Sequence, residues 1–231
     1  MNSDVPKVLH DLSGKPLIAH VLDAVVESGI DDRPVVVIGY RGDEIRAKLG
    51  DNYEYVTQDE PKGTGHAVQT TEELLSGHTD NLVVLYGDHP FIKLETLRTL
   101  VKAHSESDDP ITMATTTVAN FDEENGTFLL FGRIVRDSSG RIIAVIEQKD
   151  ATQDQLEIRE LNPGYYCFTA DWLWKNLKKI ENKNVSREYY LTDLVRIAIE
   201  NGTNINSIAI DPSEAISVNT PADLSRARSM A

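Results

Sequence analysis

Two uninterrupted apolar stretches, residues 34–39 and 81–86, have the length of β-strands. Residues 111–118 form a third candidate strand, which is rich in threonine. Continuous apolar runs are typical of strands that are buried on both faces of a sheet. The pattern therefore predicts a sheet that is covered on both sides.

Amphipathic segments alternate with these strands. Residues 16–28 have helical periodicity and stop before Gly29, a residue type favoured just beyond a helix end. Residues 94–104 place four apolar side chains on one helical face, and helices are also predicted over 171–179 and 192–201. This alternation predicts an α/β fold with a mostly parallel central sheet and helices on both faces.

Turn signals become frequent in the second half of the chain. An Asn-Gly pair at 125–126 and a Ser-Gly pair at 139–140 bracket strand-like stretches over 127–136 and 141–147. They predict an antiparallel ribbon, inserted in the chain and laid over one end of the sheet. Because no repeat, low-complexity stretch or linker interrupts the sequence, the whole chain, residues 1–231, is interpreted as a single domain.

The charge balance limits the possible partners. The net charge is −14, from 37 acidic and 23 basic residues, which repels nucleic acid and anionic membranes. A single cysteine, Cys167, excludes an internal disulfide, and no secretory signal or membrane-length apolar run is present. We expect a soluble cytoplasmic protein. If its substrates are phosphates, a few local cations or a metal ion must offset the negative field.

A glycine-rich loop at residues 63–65, Gly-Thr-Gly, runs into a helical pattern and follows Gln58. Such a loop can present backbone N–H groups to an anion or to the edge of a base. Strand-to-helix turns rich in glycine are common, however, and most of them are purely structural. The loop alone does not indicate a function.

Asp88 directly follows a buried strand in the sequence Tyr86-Gly87-Asp88. Ligands of open α/β sheets bind beyond the carboxyl ends of the strands, and a carboxylate there suits Mg²⁺ shared with phosphate oxygens. The alternative is that Asp88 caps the next turn, which is a frequent role of aspartate. The residue alone leaves both interpretations open.

Other polar residues stand near predicted strand and helix ends. Glu147 and Lys149 end the second ribbon strand, and Asn162 precedes the next strand. Taken singly, each is more typical of a solvated turn. Asn219 precedes a helix that opens at Thr220-Pro221, where it could belong to the cap. The six histidines show no metal-ligand spacing, and we interpret His66 and His89 as flanking residues.

Taken together and in order, these segments resemble one family. The eight matching motifs are 3–9 with 14–17, Gln58 with 63–67, 86–88, 131–134 (Phe-Gly-Arg-Ile), 146–151 (Ile-Glu-Gln-Lys-Asp-Ala), 162–164 (Asn-Pro-Gly), 188–193 and 218–219. Over essentially its whole length, the chain resembles the uridylyltransferase domain of bacterial N-acetylglucosamine-1-phosphate uridylyltransferases. The resemblance implies a Rossmann-like nucleotidyltransferase fold.

The resemblance also implies a role for each matching residue. Lys7 would be the catalytic residue, which contacts the phosphates and neutralises their charge, and Lys149 would place a further cation near them. The nucleotide would be bound by Gln58, Gly63 and Thr64 at the uracil and by Tyr86 and Gly87 at its sugar. Mg²⁺ would be bound by Asp88 and Asn219, and the N-acetylglucosamine ring by Gly132, Glu147 and Asn162.

The implied reaction is in-line attack of a sugar 1-phosphate oxygen on the α-phosphorus of UTP, with pyrophosphate as the leaving group. The attacking oxygen is already ionised, so the protein has to position two anions and neutralise their repulsion. The implied partners are UTP, N-acetylglucosamine 1-phosphate and Mg²⁺, in the synthesis of cell-wall amino-sugar nucleotides. We expect a monomer that binds neither nucleic acid nor membranes.

The chain departs from the family pattern at both ends. Family members open with a strand and a glycine-rich phosphate loop resembling Leu-Ala-Ala-Gly-x-Gly-Thr-Arg-Met, and Met1 falls at the last position of that motif. We therefore expect the first strand and the loop to be absent, either because the start lies at an internal methionine of a normal enzyme or because the chain is short and inactive. No left-handed β-helix of hexapeptide repeats follows, so neither acetyl transfer nor a trimer built by such a helix is predicted.

Two alternatives to the leading hypothesis stay open at this point. One is a nucleotidyltransferase for another sugar phosphate or nucleotide, because sugar identity depends on pocket shape. The other is a non-catalytic module that holds a nucleotide sugar without turnover. Matching sugar positions together with an absent triphosphate loop are what this second alternative predicts.

Overall fold

The computed structural model describes residues 5–121 and 123–231. Its strands are β1 (Asp11–Leu12), β2 (Lys15–Pro16), β3 (Val35–Ile38), β4 (Glu54–Thr57), β5 (Asn81–Val84), β6 (Ile111–Thr117), β7 (Gly132–Arg136), β8 (Ile142–Ile146), β9 (Glu160–Asn162), β10 (Tyr166–Thr169) and β11 (Asn206–Ile210). Its α-helices are α1 (Leu17–Ser28), α2 (Gly42–Leu49), α3 (Thr64–Gln69), α4 (Glu72–Leu75), α5 (Leu94–Ser105), α6 (Gln153–Leu156), α7 (Ala170–Leu177), α8 (Asp193–Glu200) and α9 (Pro221–Met230). Ser3 and Asp4 of the motif around Lys7, and Met1, lie outside the described residues.

The largest sheet has the strand order β5-β10-β6-β9-β7-β8. Strands β10 and β9 pair with successive parts of one edge of β6, and β11 pairs with the opposite edge. Strand β10 runs antiparallel to both of its neighbours, so that Tyr166 lies opposite Val84 on β5 and Met113 on β6. Strands β5, β6 and β11 therefore share one direction, as an α/β fold requires. The predicted α/β fold class is confirmed, but the expected mostly parallel pairing is not found within this sheet. Strand β10 lies antiparallel between β5 and β6, the pairs of β9 with β6 and β7 and of β7 with β8 are antiparallel too, and β6 with β11 is the parallel pair of this sheet among the described strands.

Helices cover both faces of this sheet. Tyr166 and Phe168 of β10 pack with α7 and α8 on one face, whereas Cys167 packs with α1 and α5 on the other. Burial raises the pKa of the Cys167 thiol to about 12, which fits the interpretation of this cysteine as a small core residue. Within the part of the chain that the structure describes, no helix is long and apolar enough to cross a membrane.

The predicted helix ends are confirmed where a specific residue sets them. Helix α1 ends at Gly29, whose φ of 75° is in the left-handed region that favours glycine. Helix α9 begins after Thr220, whose hydroxyl accepts from the Asp223 N–H while the Asp223 carboxylate accepts from the Thr220 N–H. This reciprocal pair is a capping box.

The predicted ribbon is partly wrong. Strands β7 and β8 are antiparallel and are joined by the predicted turn, in which Gly140 has a φ of 86°. The first half of the stretch 127–136, however, belongs to a 3-10 helix over Glu123–Leu130, and this helix also replaces the predicted turn at 125–126. Phe128 and Phe131 are buried there against Leu161, so tertiary packing overrides the strand pattern. The ribbon extends the sheet through β9 instead of lying over one end of it.

A gap separates β3, which belongs to a two-stranded sheet with β4, from β5, an edge strand of the largest sheet. Among the described strands, β3 pairs only with β4, in parallel, and β5 pairs only with β10. The two unpaired strand edges line one cavity of about 1100 Å³, together with Val21 and Val25 of α1, Val68 of α3 and Leu75 of α4. A cavity bounded by two strand edges and by helices on both faces has the surroundings that one further strand of a sheet would have. It agrees with the expectation that the first strand is absent.

Candidate functional site

Lys7, Asp88 and Asn219 meet at one point although they come from distant parts of the chain. The Lys7 ammonium donates to Asp88 Oδ2 at 2.6 Å and to Asn219 Oδ1 at 2.7 Å. Lys7 belongs to the 3-10 helix Lys7–Leu9, Asp88 follows β5, and Asn219 precedes α9. The site therefore lies beyond the carboxyl end of β5, where ligands of α/β sheets bind.

Local hydrogen bonds fix the two oxygen donors. The Val218 N–H donates to the Asp88 carbonyl at 2.9 Å, which ties the two segments together. The Asn219 amide nitrogen donates to Ser217 Oγ at 2.9 Å, so its oxygen faces Lys7. The carboxylate of Asp88 accepts from Lys7, which is not the capping arrangement. Asn219 takes part in the cap of α9 through its backbone, because its N–H donates to Asp223 Oδ2 at 3.0 Å, whereas the capping hydroxyl is that of Thr220. The Asn219 side chain is left to face Lys7.

The donor set at this point fits Mg²⁺. Two hard oxygens, from Asp88 and Asn219, already converge on one cationic group, the Lys7 ammonium. The described residues contain no group of three or more histidine, cysteine, aspartate or glutamate side chains that could hold a metal ion. A site with two protein oxygens suits a cation that takes its other ligands from substrate phosphates and water.

The Gly63-Thr64 loop packs closely against the segment that precedes α8. Gly63 has a φ of 111°, and a Cβ atom there would lie 2.6 Å from the Tyr189 carbonyl oxygen. The Gly65 N–H donates to that same carbonyl at 2.8 Å. Gln58 Nε2 donates to the Gly63 carbonyl at 3.2 Å, so Gln58 and the loop form one unit. Close packing thus explains why position 63 requires glycine.

Tyr86 connects this loop with the other candidate residues. Burial raises the pKa of its hydroxyl well above the ordinary value, and the nearby Glu147 and Asp88 carboxylates raise it further. A hydrogen bond with Thr64 acts in the opposite direction. Gly87, the next residue, leaves room for Ile18, whose Cδ1 would lie 3.2 Å from an added Cβ atom. The Tyr86 phenol is therefore neutral at physiological pH.

The three residues assigned to the sugar lie on β7, β9 and the end of the ribbon. Gly132 and Asn162 are directly paired across β7 and β9. Asn162 Oδ1 accepts from the Gly164 N–H at 3.0 Å, and Glu147 Oε1 accepts from the Thr192 hydroxyl at 2.8 Å. Burial raises the pKa of Glu147, while the bond from Thr192 partly counteracts this shift.

The Lys149 side chain contacts a segment of the chain other than those that meet at Lys7. Its ammonium donates to Ser186 Oγ at 3.2 Å in an exposed position. The role of Lys149 near the phosphates stays a prediction.

A family match covers most of the chain. The nucleotidyl transferase family model matches residues 2–211. The chain belongs to the nucleotidyl transferase family. Bifunctional protein GlmU of Brevibacillus brevis is 38% identical over 228 residues, which are 98% of this chain and 48% of the relative. Bifunctional protein GlmU of Heliobacterium modesticaldum is 38% identical over 231 residues, 100% of this chain and 49% of the relative. The chain thus spans about half the length of these relatives.

Solved structures confirm the nucleotidyl transferase fold. UDP-glucose pyrophosphorylase, solved in complex with UDP-glucose, superposes with a TM-score of 0.75 over 98% of this chain and 90% of that chain. The two sequences are 18% identical, a similarity that speaks for the fold only.

Three residues of the candidate site have no role predicted from the sequence. Thr192 holds Glu147, Ser217 holds Asn219, and His89 lies beside Asp88 with its Nε2 3.9 Å from Asp88 Oδ1. Thr192 lies in the motif 188–193, and Ser217 directly precedes the motif 218–219. These positions are the sequence feature that could have indicated a role for the two residues. Burial lowers the pKa of His89 to about 4.

Proposed function

We propose that this chain transfers the uridylyl group of UTP to N-acetylglucosamine 1-phosphate, giving UDP-N-acetylglucosamine and pyrophosphate. The observation that carries the proposal is the convergence of Lys7, Asp88 and Asn219 beyond the sheet. The motif-by-motif resemblance and the 38% identity to bifunctional GlmU proteins support the choice of nucleotide and sugar. We also propose that the protein acts in the cytoplasm as a monomer.

The reaction needs positioning and charge neutralisation more than acid–base chemistry. An ionised phosphate oxygen of the sugar 1-phosphate attacks the α-phosphorus of UTP and forms the new P–O bond. The bond between the α-phosphorus and the bridging oxygen breaks, and pyrophosphate leaves with the electron pair. Because the nucleophile is already an anion, no side chain has to remove a proton.

Lys7 supplies a cation for this step. An ammonium group has three N–H donors, and Asp88 and Asn219 each accept one of them. The third donor remains for a phosphate oxygen, and the Lys7 side chain is 38% exposed, so a ligand can reach it. Mg²⁺ held by Asp88, Asn219 and phosphate oxygens would take the place of the Lys7 ammonium between the two side chains and would supply further neutralisation of the developing charge. The ammonium would then be free to donate to phosphate oxygens.

The other candidate residues would hold the two substrates. Gln58 and the Gly63-Thr64 loop would read the uracil, because a side-chain amide and backbone groups offer both donors and acceptors to its edge. Tyr86 and Gly87 would lie along the nucleotide sugar. Hydroxyl and amide groups of the acetylated sugar would be met by Glu147, Asn162 and the backbone around Gly132.

The proposal is tested by measuring pyrophosphate release from UTP and N-acetylglucosamine 1-phosphate with Mg²⁺. Residues 1–231 are compared with a form that is extended at the N-terminus by a strand and a glycine-rich phosphate loop. We expect release that depends on both substrates in the extended form, and loss of that release in its Asp88→Asn variant, which keeps the side-chain shape. If both forms are folded and silent, the proposed function is wrong.

A further inference from the structure

His89 is a buried imidazole with one ring nitrogen bonded and the other facing Asp88. Its side chain is 6% exposed. Nδ1 lies 2.9 Å from the Tyr165 hydroxyl oxygen, and Nε2 lies 3.9 Å from Asp88 Oδ1. The sequence interpretation of His89 as a flanking residue does not account for this position between a buried tyrosine and a candidate cation ligand.

The hydrogen bonds of Tyr165 determine which nitrogen of His89 carries the proton. The Tyr165 hydroxyl donates to the Glu214 carbonyl oxygen at 2.9 Å, because a carbonyl can only accept. A hydroxyl has one proton, so the oxygen of Tyr165 accepts the bond from His89. Nδ1 of His89 is therefore the protonated nitrogen.

The geometry on the other side of the ring indicates a bare Nε2. A protonated Nε2 beside the Asp88 carboxylate would form a charge-assisted bond of about 2.7–2.9 Å. The observed separation of 3.9 Å is too long for such a bond. Among the described residues no donor reaches Nε2, so its lone pair and Asp88 Oδ1 are two acceptors that face the same space.

Aromatic neighbours hold the ring in this orientation. Phe131 is stacked on it at an interplanar angle of 11°, with ring centroids 5.8 Å apart. Tyr86 and Tyr165 contact it at centroid distances of 5.5 Å each. The direction of the Nε2 lone pair toward Asp88 is therefore fixed by packing before any ligand binds.

Two acceptors that face one space require a donor between them, and a polar separation beyond 3.5 Å is typical of a bridging water. Asp88 Oδ2 already accepts from Lys7, which leaves Oδ1 on the side of His89. Mg²⁺ prefers oxygen ligands and usually keeps several of its waters when it binds to proteins. A water held by a cation at Asp88 would present its protons to Nε2.

We propose that His89 is a positioning residue of the cation site, whose Nε2 accepts a hydrogen bond from a water held by the cation at Asp88 and Asn219. This inference rests on the proposed function, because it requires a divalent cation at these two oxygens. His89 orients the water and, through it, the coordination sphere, while Tyr165 and Glu214 keep the imidazole in the required tautomer.

Three substitutions distinguish the role of Nε2 from the role of Nδ1 in His89. His89→Gln places an amide oxygen near the position of Nε2 and keeps an acceptor toward the water. His89→Asn places an amide nitrogen near Nδ1 and keeps the bond to Tyr165 but loses that acceptor. His89→Leu removes both. The readout is the affinity for Mn²⁺, measured by electron paramagnetic resonance in the presence of UTP on the form that carries activity, with unfolding curves to show that each variant is folded.

We expect His89→Asn and His89→Leu to weaken Mn²⁺ binding about tenfold, the size typical of groups that orient metal ligands, while His89→Gln retains most of the affinity. The reverse order, with Asn retained and Gln impaired, would show that His89 serves only the Tyr165 contact and would overturn the proposal. Equal affinities in all folded variants would overturn it as well. Failure of the unmutated protein to bind Mn²⁺ would reject the cation site itself and, with it, both proposals.

The tautomer offers a test that does not depend on the reaction. Two-bond ¹H–¹⁵N correlation spectra of the protein distinguish protonated from unprotonated ring nitrogens. We expect the proton of His89 on Nδ1, before and after Mg²⁺ is added. A proton on Nε2 would contradict the proposal for His89 and leave uridylyl transfer untouched.

Discussion

Gly164 packs so closely against Tyr86 that a Cβ atom at position 164 would lie 2.0 Å from Cε2 of the tyrosine ring. Gly164 also has a φ of 83°, which side chains disfavour. Strand β10 begins two residues later, and Asn162 Oδ1 accepts from the Gly164 N–H, so this segment connects Tyr86, proposed to contact the nucleotide, with Asn162, proposed to bind the sugar.

We predict that Gly164→Ala destabilises the protein by at least about 2 kcal/mol, because backbone strain and overpacking add. Chemical denaturation measures the free energy of unfolding. Gly202→Ala is the matched control, since Gly202 has a φ of 74° and nothing lies within 4 Å of an added Cβ atom. It should cost only about 1 kcal/mol, the strain alone. Equal losses in the two variants would show that the Tyr86 contact adds nothing.

Removal of the Lys7 ammonium should impair the chemical step. We expect Lys7→Gln to lower kcat by about 10²–10³-fold, as loss of one group that stabilises transition-state charge does in other enzymes. Lys102→Gln is the control, because Lys102 is 73% exposed on α5 and pairs with Glu106. Steady-state rates of pyrophosphate release measure the effect. Unchanged kcat in a folded Lys7→Gln protein would remove Lys7 from the mechanism.

Glu147 should make the protein less stable as the pH rises. Burial raises the folded-state pKa of Glu147 above its unfolded value, so the folded state binds the extra proton between these two pKa values. The stability contributed by this proton is present below the ordinary glutamate range and is lost as the pH rises through the raised pKa. Glu147→Gln should therefore be more stable than the unmutated protein at pH 7, with the difference shrinking as the pH falls through the raised pKa toward the ordinary glutamate pKa.

The control for Glu147 is Glu73→Gln, because Glu73 is exposed on α4. Denaturation curves at several pH values give the comparison. A Glu147→Gln variant that is less stable than the unmutated protein at pH 7 would mean that the Thr192 hydrogen bond outweighs the burial of charge.

The open edges of β3 and β5 should exchange their amide hydrogens rapidly. Amides that point into the cavity have no strand partner among the described residues, whereas β6 is paired on both edges. Hydrogen exchange followed by NMR should show weak protection for alternate amides of β3 and β5 and strong protection along β6. Uniform protection of all three strands would indicate that the cavity is filled in solution.

Local patterns predicted the elements whose ends are set by single residues, such as α1 before Gly29 and α9 after Thr220. They failed at residues 127–130, where an apolar stretch with strand character is a 3-10 helix because Phe128 is buried against the core. The antiparallel position of β10 between β5 and β6 was likewise invisible, because strand order depends on contacts between distant segments.

The candidate site shows the same limit. Residues within motifs, such as Asp88 and Asn219, were identified from the sequence, and the structure brings these two together with Lys7. The bond between His89 and Tyr165 joins residues 76 positions apart, so no local spacing could reveal it. Neither residue has a distinctive pattern around it, and only the fold places them together.

The product that forms from a mixture of sugar phosphates decides whether this chain is an N-acetylglucosamine-1-phosphate uridylyltransferase. UTP and Mg²⁺ are supplied with equal concentrations of N-acetylglucosamine 1-phosphate, glucose 1-phosphate and galactose 1-phosphate, and the nucleotide sugars are separated and identified by mass spectrometry. We predict UDP-N-acetylglucosamine as the main product of the active form, and its loss in the Asp88→Asn variant. A different UDP-sugar as the main product would contradict the assigned substrate, and product formation that survives Asp88→Asn would contradict the assigned site.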